Sequence, residues 1–455
     1  MGVDLRFPGV IAPEPRIGAQ LRHGFSHLAG TAAGVAAVSV LICSLLAACS
    51  AVPSPSGTRP AVSTTTTGPS LPVATESAGP TTAASVGPHS SPAWASFAWA
   101  EADPEPFSGP GNQFIMGGTA WSGGFVLVGE NYDVPSGTSD GAVWSSTDGL
   151  HWQLIPNTGG TFSGSEITAV AARGSTLVAV GISRSEDQAQ GTQPPGLLWT
   201  SSDGIHWLRE TGTDSIVSQV SPDGVVAGPG GFIAYGVDLT GKSQQILCSS
   251  DGIAWHRFAD TDGVFSGGTV RSITTAGNGF AAVGYSASLR VVPTGVFDPT
   301  PPPAAAWWSA DGQSWHASDV GSGGYDLGTV EPWLGGTLRA LGRGACGGCI
   351  GPPVVWDSSD GGQTWQQDPR NLGVTYYWSL VMGDRAVEMD RPLAATWSAD
   401  GRSWHLLPMT GVTLPSDAYP QIARGQTVLV TDSVNPPGGL ANDQADSRVY
   451  VGTLR

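Results

Sequence analysis

A short unit recurs six times in this chain: an apolar run, then Ser-x-Asp-Gly, then a tryptophan four or five residues after the aspartate. The copies read WSSTDGLHW (residues 144–152), WTSSDGIHW (199–207), LCSSDGIAW (247–255), WWSADGQSW (307–315), WDSSDGGQTW (356–365) and WSADGRSW (397–404). Their aspartates are 55, 48, 60, 49 and 40 residues apart. That period is too long for a solenoid of helix pairs and suits a propeller blade of four short strands.

The residue types describe a tight hairpin. Ser and Asp side chains accept the backbone N–H groups that a turn leaves unpaired, Gly supplies positive φ, and the returning Trp covers the turn. The structural positions are Ser146, Asp148 and Trp152; Ser201, Asp203 and Trp207; Ser249, Asp251 and Trp255; Ser309, Asp311 and Trp315; Ser358, Asp360 and Trp365; and Ser398, Asp400 and Trp404. Each Trp is expected to be buried, at a cost of about 3–5 kcal/mol on truncation to Ala. The strings resemble the Asp-box (BNR) repeat of sialidases, sortilin-like receptors and related secreted propellers. That resemblance implies an all-β propeller with the boxes on outer hairpins, away from any ligand site.

Between the boxes lies a second unit, an apolar run that usually ends in Gly, as in residues 124–129, 176–181, 231–236 and 279–284. Seven such runs accompany six boxes, so a seven-bladed propeller of four-stranded antiparallel blades is expected. The last copy lacks its box and its outer strand. Residues near 94–102, which contain Trp99, are expected to supply that strand, because Phe-Ser-Gly follows Trp99 as it follows Trp152 and Trp255. Closing the ring in this way removes two exposed sheet edges. Residues 93–455 divided over seven blades give about 52 residues each, in the range of four-stranded blades.

The N-terminus has a different composition. Arg6, Arg16 and Arg22 precede an uncharged stretch, residues 28–48, that ends Leu46-Ala47-Ala48-Cys49. Residues 1–48 resemble a bacterial lipoprotein signal peptide with its lipobox, which implies lipidation of Cys49; the competing reading is an uncleaved membrane helix. Either places the remainder outside the membrane, exported and anchored to the outer side of the cytoplasmic membrane or in the cell envelope. Residues 49–92 are rich in Pro, Ser, Thr, Ala and Gly and read as a disordered tether with a reach of about 35–40 Å. Without residues 1–48 the chain keeps 17 basic and 35 acidic residues. Such an acidic domain repels nucleic acid.

Irregular sequence is confined to a few connections: residues 184–196, 286–304, 343–353 and 432–447. In this strand order they share the face opposite the boxes, and they are the expected contact surface for an envelope protein or glycan. Cys346 and Cys349 form a Cys-x-x-Cys expected to close a small disulfide ring in an oxidising compartment. No paired His or second Cys-x-x-Cys accompanies it, so no metal and no cofactor are expected. The five histidines beside the box tryptophans, His151, His206, His256, His316 and His405, follow the repeat and are expected on outer strands. Gly137–Gly141 matches G-x-S-x-G but lies in a polar loop, and Asp260–Gly263 starts like a calcium loop but lacks the distal acid. For a glycoside hydrolase of sialidase type the available acids are Glu331, Glu388 and Asp390, each equally readable as a strand or loop residue. The Phe/Tyr-Arg-Ile-Pro string of sialidases is absent, and Arg173, Arg271, Arg339, Arg385, Arg391 and Arg424 follow no recognisable pattern. The expectation is therefore a non-catalytic, monomeric binding or scaffolding propeller, with a cell-surface glycoside hydrolase as the alternative.

Overall fold

The structure, a computed structural model, describes residues 96–184, 192–286, 303–321, 324–344, 353–368, 377–390, 394–415, 418–434 and 446–455. Cys49, the tether, Cys346 and Cys349 lie outside the described residues, as do most of the four irregular connections.

The described chain is all-β apart from a four-residue helix, Asp214–Val217, and a few 3-10 turns. Five antiparallel sheets of four strands follow in chain order. Sheet I is Ser165–Arg173, Thr176–Ser183, Gly196–Ser201 and Trp207–Arg209. Sheet II is Val220–Gly228, Gly231–Asp238, Gln244–Ser249 and His256–Arg257. Sheet III is Thr269–Ala276, Gly279–Tyr285, Ala304–Ser309 and His316–Ala317. Sheet IV is Gly324–Pro332, Leu338–Gly344, Pro353–Ser358 and Gln366–Gln367, and sheet V is Tyr377–Met382, Arg385–Asp390, Ala394–Ser398 and His405–Leu407.

The remaining strands form one nine-stranded sheet with two arms. Its N-arm is Asn112–Trp121, Gly124–Asp133, Thr138–Ser146 and Gln153–Leu154; its C-arm is Tyr419–Arg424, Thr427–Val434, Asp446–Leu454 and Phe97–Glu101. Phe97–Glu101 runs antiparallel to the C-terminal strand with Phe97 opposite Leu454 and Trp99 opposite Gly452, and Met409–Gly411 adds to its other side in parallel. Trp99 is 3% exposed. A side chain at position 452 would start within 2.7 Å of the Phe97 and Trp99 rings, so only Gly admits them. The arms meet where Gln113 bridges Asp446.

The first strand of each unit packs on the first strand of the next, from Asn112–Trp121 through sheets I to V to Tyr419–Arg424 and back to Asn112–Trp121. This closed circuit is a β-propeller. Its core is divided among the seams, each filled from two neighbours; Val126, Val128 and Val143 of the N-arm, for example, pack with Ile167, Leu177 and Trp199 of sheet I.

The glycine that ends the apolar runs has a steric cause. Six first strands carry a register shift, and four of them share one form, a bulge between 115 and 117, 167 and 169, 222 and 224, and 270 and 272. Opposite it stand Gly129, Gly181, Gly236 and Gly284, where a Cβ would lie 1.8–2.1 Å from the carbonyl oxygens of Phe114, Glu166, Ser221 and Thr269. Each bulge is accommodated by the missing side chain across from it.

Candidate functional site

The repeated turns consume their own polar groups. In the first, Ser146 Oγ accepts the Gly149 N–H at 2.8 Å while Asp148 Oδ1 accepts those of Leu150 and His151 at 2.8 and 2.9 Å. The Ser-to-Gly bond recurs in every copy, at 2.9 Å for Ser201, Ser249 and Ser358 and 2.8 Å for Ser309 and Ser398. Against the opposing effect of burial, the His151 N–H and imidazole hold the Asp148 carboxyl below the usual range; the Ala254 and Ile253 N–H groups do the same for Asp251. In four turns the tryptophan indole donates to the turn's own glycine carbonyl: Trp152, Trp255, Trp315 and Trp365, at 2.7, 3.0, 3.2 and 3.1 Å. Trp207 and Trp404 depart from the expectation and remain half-buried.

The histidines also divide. His256, His316 and His405 are exposed on outer strands, the latter two stacked on Trp308 and Trp397. His151 and His206 are instead within the turns, each 2.7 Å from its box aspartate. One residue of spacing decides this, because a histidine before the tryptophan lies on the turn and one after it on the strand.

Two of the three candidate acids meet in the seam between sheets IV and V. Arg339, 2% exposed, donates to both carboxylate oxygens of Asp357 at 2.8 and 3.0 Å and to Glu388 Oε1 at 3.0 Å. Asp368 lies 3.5 Å from the same guanidinium, and the Trp333 ring covers it at 3.8 Å. Glu331, opposite Arg339 in sheet IV, accepts the Ser379 hydroxyl of sheet V at 2.7 Å. Burial pushes the Glu331 carboxyl up to about 8; Ser379 and Arg339 oppose the rise and Glu388 adds to it. Asp390 lies two positions beyond Glu388, paired with Tyr377 and Ala394 at the opposite end of the strand. Arg339 lies one residue past the partner of a box serine, near the face that carries the turns. The guanidinium is sealed in the seam, so this group is an ion cluster between sheets.

Arg339 was legible only by aligning the repeats with one another. The residue after the box serine's partner is Val126, Val178, Ile233, Ala281 and Val387 in the other copies, and Arg339 here.

A second polar cluster lies at the opposite end of the strands, in the seam between the N-arm and sheet I. Ser139 Oγ donates to Glu130 Oε2 at 2.6 Å, and Arg184 pairs with Glu166 and lies 3.9 Å from Glu130. Glu130 and Glu166 are buried while Arg184 is partly exposed. Ser139 is the serine of the G-x-S-x-G string, and its proton is directed to a carboxylate within a strand. On the same face a shallow cavity of about 360 Å³ is lined by Ser266, Ser286, Trp307, Ser318 and Asp319 at the base of the 286–304 connection. Asp260 closes its own turn, accepting the Val264 and Phe265 N–H groups at 2.6 and 3.0 Å. Among the described residues no three His, Cys, Asp or Glu side chains are grouped to hold a metal. Cys248 is a buried free thiol that donates to the Gly312 carbonyl, and burial pushes it up to about 11.

No protein-family model and no curated protein matches the chain. Among solved structures it is similar to a protein of unknown function from Dyadobacter fermentans, at TM-score 0.42 and 15% identity over 80% of this chain and 99% of that one. It is similar to a mutant of Trypanosoma rangeli sialidase displaying trans-sialidase activity, at TM-score 0.39 and 12% identity over 78% of this chain and 59% of that one. A third is the β-propeller domain of the Trilobed protease from Pyrococcus furiosus, at TM-score 0.45 and 5% identity over 74% and 92%. No activity is carried over from these similarities.

Proposed function

We propose that the chain is an exported seven-bladed propeller of Asp-box type, built from the N-arm, sheets I to V and the C-arm. Held to the membrane through lipid on Cys49 or through an N-terminal helix, it binds or scaffolds an envelope protein or glycan and performs no catalysis. The binding surface is the face bearing residues 184–196, 286–304, 343–353 and 432–447.

The observation that carries this reading is where the acids are engaged. The box aspartates are occupied by turn amides, and Glu388 is bound to a buried guanidinium on the turn-bearing side. A glycosidase needs two carboxyl groups facing a substrate across a few ångströms of accessible space. The alternative, a cell-surface glycoside hydrolase, draws on the approach of Glu331 and Glu388 to one arginine.

The two readings separate in one experiment. The purified chain is assayed against fluorogenic glycosides and, in parallel, used to capture ligands from envelope extract. Binding should require the loop-bearing face and persist in Glu331→Gln and Glu388→Gln. Glycoside turnover abolished by either substitution would replace the binding reading with the hydrolase.

A further inference from the structure

The seam that joins the two arms of the nine-stranded sheet contains three acceptor oxygens that find no donor among the described residues. They are Gln113 Oε1, Asn131 Oδ1 and Asp446 Oδ1, each buried. The three residues are neighbours in register: Gln113 lies opposite Asn131 within the N-arm and opposite Asp446 across the seam. Residues directly opposite in a sheet share a face. Gln113 is 2% exposed, so its carbonyl cannot be satisfied by bulk water. Each such oxygen left alone costs about 1–3 kcal/mol. Three at one junction are a standing cost unless something electropositive sits among them.

The surroundings keep room for it. Gly111 adopts φ +91°, and a Cβ there would lie 2.4 Å from Asn131 Oδ1 and 2.9 Å from the Tyr132 carbonyl oxygen. The Tyr132 carbonyl oxygen thus borders the space beside Asn131 Oδ1, which the glycine leaves open. On the far side Ser447 Oγ accepts the Ile115 N–H at 3.0 Å, fixing the seam one rung along. Arg448, the nearest basic residue of the strand, ion-pairs with Glu101 at 3.5 Å. A single water offers only two donors and cannot satisfy three acceptors. A cation can.

We propose that Asp446, Gln113 and Asn131 form a calcium site at the closure of the propeller. A carboxylate with amide carbonyls is an all-oxygen donor set that suits Ca²⁺ rather than Mg²⁺, which demands a tighter octahedron, or a transition metal, which favours nitrogen and sulfur. With one formal charge among the side-chain ligands the site belongs with weak extracellular modules, half-saturating at about 0.1–1 mM. The ion fastens the N-arm to the strand at which the chain ends.

Equilibrium dialysis of the full chain with radioactive Ca²⁺ tests the site, because the number of ions bound is read separately from stability. The wild type should hold about one more ion per chain than Asp446→Asn at millimolar Ca²⁺, and an equal concentration of Mg²⁺ should not displace it. Gln113→Met, which keeps the side-chain volume, should lower the affinity and leave fluorescence spectra unchanged. Equal calcium uptake by the wild type and Asp446→Asn would overturn the site. So would melting temperatures that do not differ between calcium and chelator in the wild type, which would assign the three oxygens to buried water.

Discussion

Arg339→Ala tests whether the cluster between sheets IV and V is structural. The substitution removes the cation shared by Asp357, Asp368 and Glu388 and the group that covers Trp333 at 3.8 Å. Removing one partner of a buried pair leaves uncompensated charge and costs about 3–5 kcal/mol. The two-sided bond to Asp357 and the 2% exposure of Arg339 place this case toward the upper end. A second variant separates charge from packing. At the seam between the N-arm and sheet I, the positions of Arg339 and Glu388 are held by Val126 and Ala179. In sheet I the position of Asp357 is held by Thr200. The triple variant Arg339→Val, Asp357→Thr, Glu388→Ala therefore rewrites the cluster in the repeat's own residues. It should lie closer to wild type than Arg339→Ala, because it removes two of the three carboxylates that the guanidinium held, and only Asp368 keeps its charge without the partner. Urea titration at pH 7, followed by tryptophan fluorescence and circular dichroism together, gives the comparison if the two transitions coincide. A loss below about 1 kcal/mol for Arg339→Ala, or a triple variant as damaged as the single one, would refute the reasoning.

Three further outcomes are expected. Glu331 favours its neutral form in the folded state, with a carboxyl raised from 4.5 to about 8, so its contribution is complete at acid pH and is lost as pH rises through that interval. Glu331→Gln should remove that part of the alkaline decline, about 2–4 kcal/mol at pH 9, measured as urea midpoints against pH; parallel profiles for variant and wild type would count against it. Asp251, whose carboxyl is held low, works in the opposite sense and loses its stabilisation as pH falls through the carboxylate range. Asp251→Ala leaves the Ile253 and Ala254 N–H groups without their acceptor and should cost about 1–3 kcal/mol at pH 7, with little difference left in strong acid. Trp99→Ala should cost about 3–5 kcal/mol and, in limited proteolysis, open cleavage first near the C-terminus; a first cut elsewhere would show that the Phe97–Glu101 strand does not hold the last one in place.

The repeated string determined much of this protein without any tertiary information. A serine two before an aspartate and a glycine after it can satisfy a turn locally, and the hydrogen bonds of Ser146, Asp148 and their counterparts lie within three or four residues in the chain. Local chemistry of that kind is written in spacing alone. The runs ending in Gly were visible in the same way, although their cause was not: Gly181 is required by the Glu166 carbonyl on a neighbouring strand. What only the tertiary structure decided lies in the seams. Glu331 and Glu388 read as possible catalytic acids because sequence shows two carboxylates and not the guanidinium between their sheets, 49 residues from Glu388 in one direction. Asp446 and Gln113 are neighbours through a bridge that spans nearly the whole domain. Burial and charge pairing depend on which strands are brought face to face, and that is set by closing the ring, which no short window of sequence contains.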